Sequence, residues 1–323
     1  MKTVRGTDIN QAASLLRAGS LVAIPTETVY GLAANALNED AVLNIFKAKN
    51  RPSFNPLILH VQNWDEAKKY IASYPTDAVI LANHFWPGPL TLLLPKNENV
   101  SDIVTSGSNF VALRVPNHPL TLSLLKALDF PLAAPSANPS GFVSPTTASH
   151  VIEGLNGKIP YVLDGGTCAV GLESTIIGWD DEKNPVVYRL GGISTQAIEA
   201  VLGKQLQHTP SVLENPATPG QLKSHYATHT PLYVGNLSEL KQEHQGKKMA
   251  VIQFSNTAKI DGISYQYALS AAASTDEAAK NLFKTMREAD ACGAEVILCE
   301  LMPASGLGPA INDRLSRAQA MYK

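Results

Sequence analysis

The chain has 323 residues, 45% of them hydrophobic and 17% charged, a length that suits two domains, since single cores stop growing at roughly 250–300 residues. Its formal net charge of −2 and pI near 6.4 argue against a broadly basic surface for tight nucleic-acid binding and leave room for a local basic pocket. Three cysteines, Cys168, Cys292 and Cys299, stand at no metal-ligand spacing, which fits reduced thiols in a cytoplasmic protein and does not suggest zinc.

The N-terminal stretch "MKTVRGTDINQAASLLRAGS" sets Ala12, Leu15 and Leu16 at helical spacing without a continuous apolar region. It reads as an amphipathic helix and not a signal peptide. No run approaches the roughly 18 apolar residues of a membrane span. A buried strand over 21–24 is stopped by Pro25, and Thr26, Glu27, Thr28 and Tyr30 then crowd polar groups ahead of Gly31. Further strands are expected over 57–61, 90–94, 111–115, 161–164, 174–178 and 186–190. Helices are expected across "NEDAVLNIFKAKN", "NWDEAKKYIAS" and "HPLTLSLLKAL". The alternation predicts an α/β domain on a mixed, twisted sheet.

From 206 to 230 the periodicity is lost and prolines gather, as in a linker. Strands over 232–234, 249–254 and 296–301 then flank a helix across "STDEAAKNLFKTMREADACG", with Ser274 or Thr275 as its N-cap and Gly293 as its stop. A second helix is expected across "PAINDRLSRAQAMY". This is a small Rossmann-like α/β module that lacks the glycine fingerprint of a dinucleotide site.

Phosphate-loop, HExxH and GxSxG signatures are missing. His225 and His229 in "HYATH" have the spacing of a metal pair on a helix, but no third ligand is evident and no metal site is assigned. In "FKAKNRPSFNPLILH", Lys47, Lys49 and Arg51 close a helix, where cations offset the macrodipole. Helix termination leaves unexplained why Arg51 and Asn55 then occupy a proline-stiffened loop, and an anion site accounts for it. Arg114 lies inside an apolar strand, where a guanidinium needs a structural or a ligand carboxylate. "PLAAPSANPSGFVSPT" offers Ser136, Asn138, Ser140 and Ser144 among small residues, "DGGTCAVGLESTII" offers Glu173, Ser174 and Thr175, and "VVYRLGG" ends on Arg189 beside two glycines. Several such strand ends in one domain suggest a shared cleft for a polar, anionic ligand.

In this order, "IPTETVYGLAANA", "KAKNRPSFNPL", "FWPGPLTLLL", "LRVPNHP", "APSANPSG", "GLESTII" and "RLGG" closely resemble the threonylcarbamoyl-AMP synthases, whose catalytic part is the YrdC-like domain. The resemblance is dense from residue 5 to about 205, and "PGQLKSHYATHTP" with the final module resembles the longer, two-domain branch. It implies a YrdC-like twisted mixed sheet with flanking helices over 1–205, a linker and active-site lid over 206–230, and the small Rossmann-like domain over 231–323. It also implies an enzyme that condenses L-threonine, bicarbonate and ATP into threonylcarbamoyl-adenylate and pyrophosphate. The product feeds the threonylcarbamoyl modification of the adenosine beside the anticodon, which implies a downstream transferase machinery and at most weak contact with tRNA.

By the same resemblance, Lys49, Arg51, Ser136 and Asn138 hold the nucleotide phosphates, with magnesium, and Lys49 and Arg51 are the expected catalytic cations. Asn55, Ser144 and Arg189 match further ATP-contacting positions, and Tyr226 matches a lid tyrosine. Thr28, His60, Arg114 and Ser174, with the Ala134 backbone, match the threonine side. The lid departs from a common "KYxHYAP" form, since Ser224 precedes His225 and Thr228 replaces the first proline.

Such a reaction requires no protein nucleophile: the protein aligns two anions, neutralises charge at the α-phosphate and excludes water. Glu27 stands out as a negative charge in a site for anions. It can bind backbone amides of its loop, orient Lys49 or Arg51 as an ion pair, or help to hold magnesium. Two rival functions are a non-catalytic RNA-binding protein and an enzyme of the same fold that makes a different carbamoyl-adenylate.

Overall fold

A computed structural model of the chain describes residues 2–209, 225–255 and 259–322. These divide into two compact units, the first formed by 2–140, 145–169 and 173–209, the second by 141–144, 170–172, 225–255 and 259–322. The expected linker and lid fall largely on 210–224, outside the described residues. No helix among the described residues is long and apolar enough to cross a membrane.

The first unit is built on β1 (Val4–Gly6), β2 (Val22–Ile24), β3 (Gly31–Asn35), β4 (Ile58–His60), β5 (Leu90–Pro95), β6 (Phe110–Arg114), β7 (Leu132–Ala133), β8 (Tyr161–Leu163), β9 (Thr175–Trp179), β10 (Pro185–Arg189) and β11 (Gln207–His208). They form one mixed sheet in the order β1-β8-β2-β3-β7-β4-β6-β5-β9-β10-β11. β4 and β6 run parallel with His60 opposite Arg114, and β5 runs antiparallel to β6 with Leu92 opposite Leu113.

Side chains alternate across a strand, and this alternation sorts the sheet's two faces. Leu59, Leu90, Leu92, Leu94, Val111, Leu113 and Ile177 join the main core. The opposite face carries Ile58, Leu93, Ala112 and Ile176 as a small apolar cluster. On that same face, the next positions toward the carboxyl ends of β4 and β6 are His60 and Arg114, with Thr91 across on β5. A polar row thus borders an apolar floor where parallel strands end, the place at which open α/β sheets bind ligands.

Helix Glu39–Lys49 brings in the cations. The Asn38 side chain caps it by accepting from the Ala41 N–H at 3.1 Å, Glu39 and Asp40 occupy the first turn, and Ala41, Val42, Ile45 and Phe46 face the core. Asn50, in the left-handed region at φ 51°, ends the helix, so that Lys49 and Arg51 leave it beside the sheet.

Some expected elements differ. β3 and the short β1, β7 and β11 were not expected; "GLAAN" is alanine-rich and of low strand propensity, and is a strand because β2 and β7 flank it. The helix expected across "NWDEAKKYIAS" is only Trp64–Ala67 followed by a 3₁₀ turn, Lys68–Tyr70. Ile71 instead bridges to Lys96, so a tertiary pairing takes the end of the segment. "HYATH" is not helical, because Tyr226 has φ 66°.

The second unit holds a four-stranded parallel sheet, β12 (Leu232–Val234), β15 (Val296–Cys299), β13 (Met249–Ser255) and β14 (Tyr265–Ser270) in that spatial order. The runs "MAVI" and "VILC" are continuously apolar because both faces of a parallel sheet are covered. β14 was not expected from the sequence. Helix Thr275–Ala291 is capped by Ser274, which accepts from Glu277 N–H at 3.4 Å, and Gly293 follows it at φ 78°. Helix Gly308–Gln319 completes the unit.

Candidate active site

Lys49 is 1% exposed and donates to the backbone carbonyls of Ser136 and Asn138. One side chain thereby ties the Lys-x-Arg segment to the Ser-x-Asn segment, 87 positions apart. Among the described residues no carboxylate pairs with Lys49. Burial, and then the positive Arg51, push its pKa well below the ordinary lysine value, because a charge in low dielectric without a counter-ion is costly.

Arg51 holds the loop that follows. Its Nε donates to the Asn55 carbonyl at 3.1 Å and its Nη2 to the Pro56 carbonyl at 2.8 Å. That clamp fixes Asn55, which is fully buried and whose amide oxygen and nitrogen both lack a hydrogen-bond partner among the described residues. Buried groups left unsatisfied cost about 1–3 kcal/mol each. Asn138 turns its amide nitrogen to the Pro139 carbonyl at 2.9 Å.

Glu27 pairs with Arg114. Its Oε1 stands 2.7 Å from Arg114 Nη2, with both side chains at most 7% exposed, and its Oε2 accepts the Asn117 backbone N–H at 2.9 Å. The expectation of an ion pair with Lys49 or Arg51 is therefore corrected, while the expected backbone-amide contact is present. Arg114 also donates from Nε to the Gly88 carbonyl at 3.3 Å. Thr28, fully buried, shares a hydroxyl contact of 2.8 Å with Thr26, whose Oγ1 also bonds the Val29 carbonyl at 2.7 Å. Tyr30 reaches from the same loop to the Gly166 carbonyl at 2.7 Å. The close approach of backbone explains Gly31, where a Cβ would meet the Ala134 methyl at 3.2 Å.

His60 lies in the row beside Arg114, with Nδ1 3.3 Å from the Ile58 carbonyl. Burial, then the Arg114 charge, lower its pKa to about 3, so the ring is neutral. The unfolded chain binds a proton below pH 6.5 and the folded one does not, so stability falls as pH drops from 6.5 toward 3. At pH 5 the loss from His60 is about 2 kcal/mol, at 1.36 kcal/mol per pH unit. Urea unfolding at pH 8 and pH 5 is expected to show that loss in the wild type and not in His60→Gln; an equal loss in both would contradict a neutral, buried ring.

At the neighbouring strands, the Ser174 hydroxyl contacts Thr91 Oγ1 at 2.7 Å and accepts from Arg189 Nη2 at 3.0 Å. The Ser174 carbonyl also accepts from Arg189, Nε at 3.1 Å and Nη2 at 2.9 Å. Arg189 thus positions Ser174. Gly191 admits this packing, since a Cβ there would lie 2.3 Å from the Glu173 carbonyl oxygen.

The first unit therefore gathers Lys49, Arg51, Asn55, Ser136 and Asn138 in one set, and Thr28, His60, Arg114, Ser174 and Arg189 along the adjoining strand ends. The Ala134 N–H is committed to the Ile58 carbonyl at 3.1 Å. Ser144 and Tyr226 belong to the second unit. Tyr226 is 1% exposed there, stacked on Phe283 at 5.4 Å with the Arg314 guanidinium 5.5 Å from its ring. Sequence reasoning missed Thr91, Gly88 and the Asn117 amide. Thr91 alone carried a signal, as a hydroxyl alternating with Leu90 and Leu92 in an apolar run.

A family model for the Sua5, YciO and YrdC proteins, described as "Telomere recombination", matches residues 14–191. Another, described as "Threonylcarbamoyl-AMP synthase, C-terminal domain", matches residues 193–320. The threonylcarbamoyl-AMP synthase of Pyrococcus abyssi is 42% identical over 96% of this chain and 93% of its own length. The chain belongs to the threonylcarbamoyl-AMP synthase family. The Bacillus subtilis threonylcarbamoyl-AMP synthase is 41% identical over 96% of this chain and 92% of its own length. The crystal structure of P. abyssi Sua5 complexed with L-threonine superposes with a TM-score of 0.89 at 39% identity, covering 98% of this chain and 97% of that one. The chain therefore shares the fold of P. abyssi Sua5 along nearly its whole length.

Proposed function

We propose that the chain is an L-threonylcarbamoyladenylate synthase, condensing L-threonine, bicarbonate and ATP to threonylcarbamoyl-AMP and pyrophosphate. Similarity to enzymes of that name along nearly the whole length carries this reading. The site chemistry supports it: a buried lysine without a carboxylate partner and a buried amide without a hydrogen bond accommodate polyphosphate, and no nucleophile is needed.

In this reading Lys49 and Arg51 face the phosphates and act as the catalytic cations, and Ser136, Asn138 and Asn55 fix the nucleotide with Ser144, Arg189 and Tyr226. Arg114, held by Glu27, meets the threonine carboxylate. Thr28, His60, Ser174 and the Ala134 backbone surround the amino acid. His60, being neutral, orients without adding charge. The linker of 206–230 serves as the lid, which keeps water from the labile carbamate.

Magnesium would enter with ATP, held by phosphate oxygens and water. Among the described residues no group of three or more His, Cys, Asp or Glu is disposed to hold a metal. Glu27, once a candidate, is committed to Arg114 and the Asn117 amide. The described residues therefore offer no cage of His, Cys, Asp or Glu for the ion. The product would pass in the cytoplasm to a transferase that modifies tRNA adenosine, with at most weak tRNA contact by this chain. Pyrophosphate release is the first assay: it should require threonine, bicarbonate and ATP together, and release independent of threonine would contradict the reading.

A further inference from the structure

At the far end of the sheet, where β5 and β9 finish and β6 begins, lies a cavity of ≈ 250 Å³. Phe110, on its wall, is four positions before Arg114, so it stands roughly 13 Å along the strand from the polar row. Tyr74 and Phe110 line it at 44% and 42% exposure, unusual for aromatic rings that serve only a core. Trp179 lines it as well, and its indole N–H is buried without an acceptor among the described residues.

From the turn closing the cavity, 180–183, Asp180, Asp181 and the cation Lys183 line it, and Glu182 adds a further negative charge beside them. Asp180 is occupied by its own turn, accepting from the Asn184 backbone N–H at 2.7 Å and the Asn184 side-chain amide at 3.1 Å. No ion pair or hydrogen bond among the described residues engages Asp181, which is exposed. Aromatic walls, a carboxylate at the rim and a buried donor aimed at no acceptor are complementary to one kind of group. A guanidinium stacks flat on rings and forks onto a carboxylate, while the carbonyl of its own backbone can accept the indole N–H.

We propose that this cavity is a docking site for an arginine-bearing peptide segment of a partner protein. The arginine lies against Tyr74 and Phe110 and pairs with Asp181, and a peptide carbonyl accepts from Trp179. Nucleic acid is disfavoured, since the acidic turn repels phosphate. The site is separate from the synthase chemistry and does not depend on it.

The test uses the full chain and acetyl-Gly-Arg-Gly-amide, following the Trp179 indole N–H by nuclear magnetic resonance, assigned through Trp179→Phe. The peptide should shift that resonance saturably, and its citrulline counterpart should bind roughly two- to fivefold more weakly, the scale of an exposed ion pair. Asp181→Asn should reduce the arginine peptide to the citrulline level while leaving threonine-dependent pyrophosphate release and the Trp64 and Trp86 resonances unchanged. Equal binding of the two peptides, no Trp179 shift at millimolar peptide, or a shift produced instead by an RNA oligonucleotide would each overturn the proposal.

Discussion

Arg51→Ala is expected to lower kcat/KM for ATP by about a hundredfold or more, because hydrogen bonds to charged groups contribute about 1.5–3 kcal/mol each. Two effects combine. In the proposed binding mode a guanidinium facing phosphate is lost, and so is the clamp on the Asn55 and Pro56 carbonyls, which frees the loop holding the buried Asn55 amide. Arg51→Lys separates them, since it retains a charge but not the fork, and should recover only part of the activity. Lys49→Met is expected to cost more than Arg51→Ala. It removes a cation in the site and leaves the Ser136 and Asn138 carbonyls, which Lys49 holds together, without their donor. Steady-state assays of pyrophosphate release check both, and a loss under about threefold for Arg51→Ala would contradict its role.

Glu27→Ala is expected to destabilise the protein by about 3–5 kcal/mol, the cost of leaving one member of a buried ion pair uncompensated. Arg114, 4% exposed, would lose its 2.7 Å contact with Glu27 and keep the 3.3 Å hydrogen bond to the Gly88 carbonyl. In the proposed binding mode the threonine carboxylate takes the place of that missing charge. Saturating threonine should therefore restore more stability to Glu27→Ala than it adds to the wild type. Replacing both Glu27 and Arg114 by apolar residues should cost less stability than Glu27→Ala while abolishing threonine-dependent turnover. Urea unfolding with and without threonine measures these differences, and a loss below about 1 kcal/mol in Glu27→Ala would contradict the pair's importance.

The residues of the site were legible in the sequence to the extent that each interrupts a local pattern. Arg114 and His60 stand out because they sit in apolar strands, and Asn55 because prolines stiffen its loop. Their pairings were not legible. Glu27 meets Arg114 across 87 positions, and sequence separation that large leaves Lys49, Arg51 and Arg114 equivalent as partners; the sheet register decides among them. Lys49 looked like ordinary helix termination with an anion beyond it, and its link to two backbone carbonyls of "PSAN" depends on where Asn50 stops the helix. Strand β3 was hidden by its alanines, whose place in a sheet comes from neighbours and not from propensity. β14, "YQYALS", alternates tyrosine with smaller residues and is a strand through its parallel pairing with β13.

The identity of the product decides the reaction, and isotopic labelling reads it. The full chain is incubated with ATP, ¹³C-bicarbonate and ¹⁵N-threonine, and the adenylate is analysed by mass spectrometry. A single AMP adduct carrying both labels is expected, formed together with pyrophosphate. An adenylate that lacks the threonine label or the carbon label would contradict it.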